Sequence, residues 1–164
     1  AAADAWQATT GLALAGILAV LDAVAVGIVL GGLAHEWGHF AGARLGGGIA
    51  PTRRSRLFAP LFDLDLVRSD PAAFRAMSVE GNLAHWALVI VLAALVPLDT
   101  AGRAALVAAA FGFAIAASTT ELPILQRSFA GASNVESFRG LSKETLRRDR
   151  WVGAAAGPAL FWVL

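Results

Sequence analysis

Two histidines and a glutamate near the end of the first apolar segment have the types and the spacing of a metal site. The sequence there reads His35-Glu36-Trp37-Gly38-His39, an HExxH pattern. Residues four apart lie on one face of a helix, so both imidazoles can reach one ion. Neutral imidazole binds zinc well, and zinc brings the pKa of its bound water to about 7. Glu36 is placed to take that proton as a general base, which is the chemistry of a zinc peptidase.

The HExxH pattern also arises by chance in the helices of soluble proteins. In this chain the three ionisable side chains lie beside an apolar segment long enough to enter a membrane. Ionisable groups at membrane depth are costly and usually functional. We therefore interpret His35, Glu36 and His39 as a metal site and predict Zn²⁺ as its cofactor.

A catalytic zinc ion needs a third protein ligand and an open position for water. The order of the apolar segments brings Glu80, His85 and Glu121 to the membrane level of the two histidines. His85 and Glu121 are the candidates for the third ligand. Each has another explanation: His85 as an interfacial residue beside Trp86, and Glu121 as a solvated helix end.

Composition indicates that lipid surrounds the elements that carry these residues. Hydrophobic residues make up 57% of the 164 residues and charged residues 15%, against about 25% charged residues in soluble domains. The sequence predicts an all-α membrane protein with about four transmembrane helices in one polytopic domain, residues 1–164. The predicted spans lie near residues 11–45, 81–98, 104–121 and 151–164. The first exceeds the ~20 residues that cross a bilayer, so it tilts, breaks near Asp22 or projects beyond the bilayer.

Charge between the spans predicts their orientation. Arginine and lysine concentrate in residues 44–76 and 127–150, and short loops rich in these residues stay in the cytoplasm. We expect a bacterial inner-membrane protein with both basic loops inside, and the lipid bilayer as one of its partners. Apolar residues alternate along 61–67, which predicts a short β-hairpin-like segment in the cytoplasmic loop after the first span. The arginines lie beside apolar spans rather than on a basic face, which argues against nucleic-acid binding.

Two stretches resemble the site-2 protease family of intramembrane zinc metallopeptidases. HEWGHFAGARL, at residues 35–45, resembles the family's HExGHxxxAR segment, and FRAMSVEGNLAH, at residues 74–85, is similar to its second signature. The resemblance covers about residues 20–128. It implies that His35 and His39 hold zinc, that Glu36 is the general base, and that the substrate is a membrane helix cut near the cytoplasmic face.

The chain departs from the family where the third ligand is expected. The family supplies an aspartate from a Leu-Asp-Gly segment shortly after an Asn-x-x-Pro turn. Residues 120–124, TELPI, resemble that turn, but no Asp-Gly pair occurs in the chain. Either Glu121 or His85 replaces the aspartate, or the site binds metal poorly. In the second case the chain is an inactive relative that serves as a structural or accessory subunit of a membrane complex.

Overall fold

The computed structural model describes residues 2–52 and 62–164, and these residues fold into helices without a β-strand. In chain order the helices are α1 (Ala2–Thr10), α2 (Ala13–Leu45), α3 (Pro71–Leu95), α4 (Ala101–Phe129), α5 (Asn134–Ser137) and α6 (Lys143–Val163). The prediction of an all-α protein is confirmed for this part of the chain.

Three of the helices, α2, α3 and α4, are long and apolar enough to cross a membrane. They coincide with the first three predicted spans. The fourth predicted span lies within α6, whose first two turns are strongly charged. Among the described helices, α6 is not one of the three that qualify by length and composition.

Two of the spans are longer than their apolar segments. Helix α3 begins at Pro71, well before residue 81, because the Asp70 side chain accepts a hydrogen bond from the Ala72 N–H at 2.7 Å and caps it. Proline at the first helical position needs no N–H partner. Helix α4 continues past Glu121 and through Pro123 to Phe129. A helix that packs against neighbouring helices tolerates the loss of the backbone hydrogen bond that proline cannot make. Glu121 therefore lies within α4 and not at its end.

Helix α2 is continuous through Asp22, so a break at that residue did not occur. Its 33 residues correspond to about 50 Å at ~1.5 Å per residue. A bilayer core is ~30 Å thick. The length is therefore accommodated by tilt or by projection beyond the bilayer, and His35, Glu36 and His39 lie on one unbroken helix.

Small residues allow the helices to approach closely. Helix α2 packs against α3 and α4, and α6 packs against α4. A Cβ atom added to Gly38 would lie 2.6 Å from the Ala84 Cβ on α3, and one added to Gly153 on α6 would lie 2.6 Å from the Ala116 Cβ on α4. Contacts of this kind associate helices in lipid, where burial of apolar surface gives little driving force.

The predicted hairpin falls partly on residues 53–61, which lie outside the described residues. At its base Thr52 and Phe62 form an isolated antiparallel bridge. The Asp65 N–H donates to the Ile49 carbonyl at 3.0 Å, which continues the pairing. The Asp65 carboxylate accepts hydrogen bonds from two backbone N–H groups of the following turn, so it caps that turn. A hairpin beyond this bridge stays a prediction.

Helix α5 closes the same end of the molecule. The Asn134 side chain donates to the carbonyls of Leu66 and Ser69, at 3.1 and 2.9 Å, and so ties α5 to the segment before α3. Ser133 and Glu136 form a reciprocal capping box. Hydrogen bonds from the Ser133 hydroxyl and N–H hold the pKa of Glu136 below its ordinary value.

Candidate metal centre

Three side-chain atoms from α2 and α4 meet at one point in the bundle. His35 Nε2 lies 3.0 Å from His39 Nε2 and 3.1 Å from Glu121 Oε1, and His39 Nε2 lies 2.9 Å from the same oxygen. We call these three atoms the donor triangle. The two histidines come from successive turns of α2, as their spacing predicted, and both are buried. Together with Glu121 they form a group that could hold a metal ion.

Backbone carbonyls of α3 fix which nitrogen of each imidazole carries the proton. His39 Nδ1 lies 2.9 Å from the Met77 carbonyl oxygen, and His35 Nδ1 lies 3.2 Å from that of Gly81. A carbonyl oxygen can only accept, so both Nδ1 atoms donate and both Nε2 atoms keep a lone pair. Histidines that bind metals are usually oriented in this way by a hydrogen bond on the other ring nitrogen.

The donor triangle therefore directs three electron pairs at one point. With both imidazoles neutral, none of the three atoms carries a proton, and atoms of this kind repel one another at about 3 Å. If one imidazole shared a proton with Glu121, the lone pair of the other imidazole would still point at the same place. A cation bound by all three atoms removes the repulsion. The side chains present thus fit a metal ion better than they fit one another.

The composition and spacing of the triangle suit zinc. Tetrahedral zinc with bonds of ~2.0–2.2 Å to nitrogen and oxygen separates its ligands by about 3.3 Å. The observed separations of 2.9–3.1 Å need only a small opening to reach that value. Two imidazoles and one carboxylate also form one of the ligand sets that catalytic zinc uses.

A cavity of about 370 Å³ borders the triangle. Glu36, His39 and Glu121 are among the residues that line it, so the predicted general base and two of the candidate ligands share one space. Alternate residues of the segment before α3, namely Phe62, Leu64 and Leu66, also line it. The period-two pattern seen in the sequence therefore directs apolar side chains towards the site.

His85 lies behind the triangle and outside it. It is fully buried, and its Nδ1 atom faces His35 Nδ1 at 3.0 Å rather than Nε2, the His35 atom that belongs to the donor triangle. On its other side, His85 Nε2 lies 3.2 Å from the Ser118 hydroxyl. The structure thus places Glu121, and not His85, beside the two Nε2 atoms. Glu80 is exposed and does not belong to the group.

A chain of hydrogen bonds connects His85 to Glu121. The Ser118 hydroxyl lies 3.1 Å from Asn82 Oδ1, and Asn82 Nδ2 donates to Glu121 Oε2 at 2.7 Å. We call His85, Ser118 and Asn82 the polar relay. One order of protons satisfies every step: His35 Nδ1 donates to His85, His85 Nε2 to Ser118, Ser118 to Asn82, and Asn82 to Glu121. In this order the relay accepts the His35 Nδ1 proton, which leaves His35 Nε2 without one, and it hydrogen-bonds the Glu121 carboxylate.

Glycine makes room for this arrangement. A Cβ atom on Gly81 would overlap the His39 ring, so the ring fits against α3 only because residue 81 has no side chain. The carbonyl of the same residue accepts the hydrogen bond from His35. On the far side, the Phe113 ring contacts the His35 ring, with centroids 5.7 Å apart. Both histidine rings are thus enclosed by α2, α3 and α4.

Sequence reasoning did not assign a role to Asn82 or Ser118. A signal was present, because each lies three residues before a polar residue on the same helix: Asn82 before His85, and Ser118 before Glu121. Residues three apart share a helix face. Two such pairs in apolar spans indicate polar faces turned towards each other.

Comparison of the chain with protein-family models, with curated proteins and with solved structures gives no match. The function is therefore inferred from the donor triangle, the nearby Glu36 and the polar relay.

Proposed function

We propose that this chain is a membrane-embedded zinc metallopeptidase of the site-2 protease type, which cleaves a membrane-helix substrate near the cytoplasmic face. The donor triangle beside a cavity that Glu36 also lines is the observation that supports this function best. His35, His39 and Glu121 would hold the ion. Bound zinc would supply Lewis-acid activation of water and of the peptide carbonyl.

Glu36 acts as the general base in this proposal. Its carboxylate takes a proton from the water that adds to the carbonyl carbon, and it returns a proton to the leaving amine as the C–N bond breaks. The substrate enters the cavity as an unwound segment, because a helix hides its carbonyl groups in hydrogen bonds. Phe62, Leu64 and Leu66 supply an apolar wall for the side chains of that segment.

We also propose a bacterial inner-membrane location with the cavity at the cytoplasmic side. Basic residues concentrate in 44–76 and 127–150, which supports that orientation. In this arrangement residues 151–163 of α6 enter the bilayer as the fourth predicted span, with Trp151 at the interface. The bridge between Thr52 and Phe62 would then belong to a hairpin at the membrane surface.

An inactive accessory subunit is the competing function. It is favoured by the absence of the family's Leu-Asp-Gly aspartate, which leaves Glu121 as the acidic member of the triangle. Such a protein would keep the bundle and serve partner subunits in a membrane complex. The two proposals differ in one measurable property: only the peptidase would cleave a substrate.

Zinc content and a Glu36→Gln variant test the proposal. The purified wild type should hold one zinc ion per chain, and Glu36→Gln should keep the metal. Cleavage of single-span model helices in proteoliposomes should fall by roughly 10²–10⁴-fold in that variant, the usual contribution of a general base. Glu80→Gln is the matched control, since this exposed carboxylate lies outside the group that could hold the metal.

Equal cleavage by the wild type and Glu36→Gln would exclude the proposed role of Glu36. A wild type that holds zinc but cleaves none of the helices would favour the accessory subunit. A wild type without zinc would contradict the assignment of the triangle.

A further inference from the structure

An apolar cavity lies between α2, α4 and α6, and it shares no lining residue with the cavity that Glu36 lines. Its volume is about 490 Å³. Helix α2 contributes Val20, Val24 and Ile28, which recur every four residues along one face, and α6 contributes Pro158 and Phe161. The cavity therefore follows the helices into the apolar part of the bundle.

A second cavity of about 590 Å³, lined by residues of α6, adjoins this apolar cavity. Arg150 and Ala154 line both cavities, so the two lie side by side along α6. Lys143 and Arg147 also line the second cavity, and with Arg150 they lie on one face of α6 at spacings of four and three residues. All three are exposed, and no acidic residue lines either cavity in the part of the chain that the structure describes.

Size and charge together define what fits this pair of cavities. A transmembrane helix is ~10 Å wide and ~30 Å long, or roughly 2,400 Å³, about five times the apolar cavity. A slender apolar chain fits better than a helix. The basic wall next to it suits a negatively charged group, and Trp151, in the same wall, is a residue typical of the membrane–water interface.

We propose that the two cavities form a binding site for one anionic phospholipid. Its phosphate lies against Arg147 and Arg150, and one acyl chain occupies the apolar cavity between α2, α4 and α6. Basic pockets between membrane helices are known to select anionic headgroups. The lipid would fill the space between α6 and the α2–α4 wall. This inference does not depend on the proposed peptidase activity.

Native mass spectrometry of the purified protein with phosphatidylglycerol or phosphatidylcholine tests the site. Each basic residue near a membrane surface strengthens anionic-lipid attraction about fivefold. The Arg147→Gln/Arg150→Gln double variant should therefore bind phosphatidylglycerol roughly 30-fold more weakly than the wild type. Arg139→Gln, at an exposed arginine outside both cavities, should change binding little.

A second variant tests the apolar cavity without disturbing helix packing. Ala154 is exposed and lines both cavities, whereas the adjacent Ala155 is exposed and lines neither. Ala154→Trp should fill space in both cavities and reduce lipid retention, and Ala155→Trp should retain lipid like the wild type. Circular dichroism verifies that each variant is folded.

Three results would overturn the proposal. The first is equal retention of the two lipids by the wild type. The second is equal loss in the variants and their controls. The third is a disulfide-linked dimer formed by Ala154→Cys in a chain that otherwise has no cysteine, because a second copy would then occupy the cavities.

Discussion

Replacing His85 by phenylalanine removes the buried nitrogen that faces His35 and keeps an aromatic ring in its place. His85 accepts from His35 Nδ1 at 3.0 Å and donates to Ser118 at 3.2 Å. His85→Phe therefore breaks the polar relay at its first step. The donor triangle keeps all three of its atoms.

The expected effect is a moderate loss of zinc affinity. Removing a group that orients a metal ligand typically reduces affinity 10–100-fold. In this site His35 Nδ1 retains a second acceptor, the Gly81 carbonyl at 3.2 Å, so the proton stays on Nδ1 and only the ring orientation loosens. We therefore expect about a tenfold loss, equivalent to about 1.4 kcal/mol. His39→Ala, which removes a member of the triangle, should have a much larger effect.

Competition with a fluorescent chelator in detergent measures these affinities. Trp86→Phe is the matched control, because it removes a neighbouring hydrogen bond to Ser118 at 3.0 Å while leaving His85 in contact with His35. It should change the affinity by less than about threefold. Two results would refute the reasoning. Unchanged affinity in His85→Phe would mean that the relay does not orient His35, and a loss as large as that of His39→Ala would make His85 itself a ligand.

Three further predictions concern the triangle, the helix packing and a surface cap. Glu121→Gln should reduce zinc affinity at least as much as His85→Phe, because it removes the charge of the triangle; equal affinity to wild type would exclude Glu121 as a ligand. Gly153→Leu should lower the thermal unfolding temperature, since its side chain would overlap α4 near Ala116, and Ala155→Leu, at an exposed position, should not. NMR should show the Glu136 carboxyl titrating below its ordinary pKa of 4.5. The ionised carboxylate therefore stabilises the folded protein at pH values above the pKa of the unfolded chain, and this stabilisation is lost as the pH falls through the lower pKa of the folded protein. Ser133→Ala should raise that midpoint, and an unchanged midpoint would contradict the assigned cause.

The histidine pair of the candidate site could be predicted because it depends on local geometry. Helical spacing alone brings His35 and His39 to one face. The choice between His85 and Glu121 depends instead on how α3 and α4 are rotated about their axes. That rotation is set by close contacts such as Gly38 against α3 and Gly81 against the His39 ring, which involve residues far apart in the sequence.

The sequence predicts where the membrane helices lie more accurately than it predicts the residues at which they begin and end. Apolar length identified α2, α3 and α4, because lipid requires about 20 apolar residues in each span. Their ends depend on caps and packing that hydropathy does not record, as Asp70 before α3 and Pro123 within α4 demonstrate. The partners in the polar relay were missed because Asn82 and Ser118 are uncharged, and such residues are common in membrane helices.

The donor triangle combines residues of two helices that are synthesised at different times. His39 and Glu121 are separated by 82 positions in the sequence, so α2 leaves the ribosome well before α4. The imidazoles enter the bilayer first, together with Glu36, and they lack the Glu121 carboxylate until α4 has been inserted. If the chain is the peptidase proposed above, it cannot bind zinc through all three atoms, or gain hydrolytic activity, before the third long helix is in place. In that case the late insertion of Glu121 would keep an unfinished peptidase from cleaving neighbouring membrane proteins.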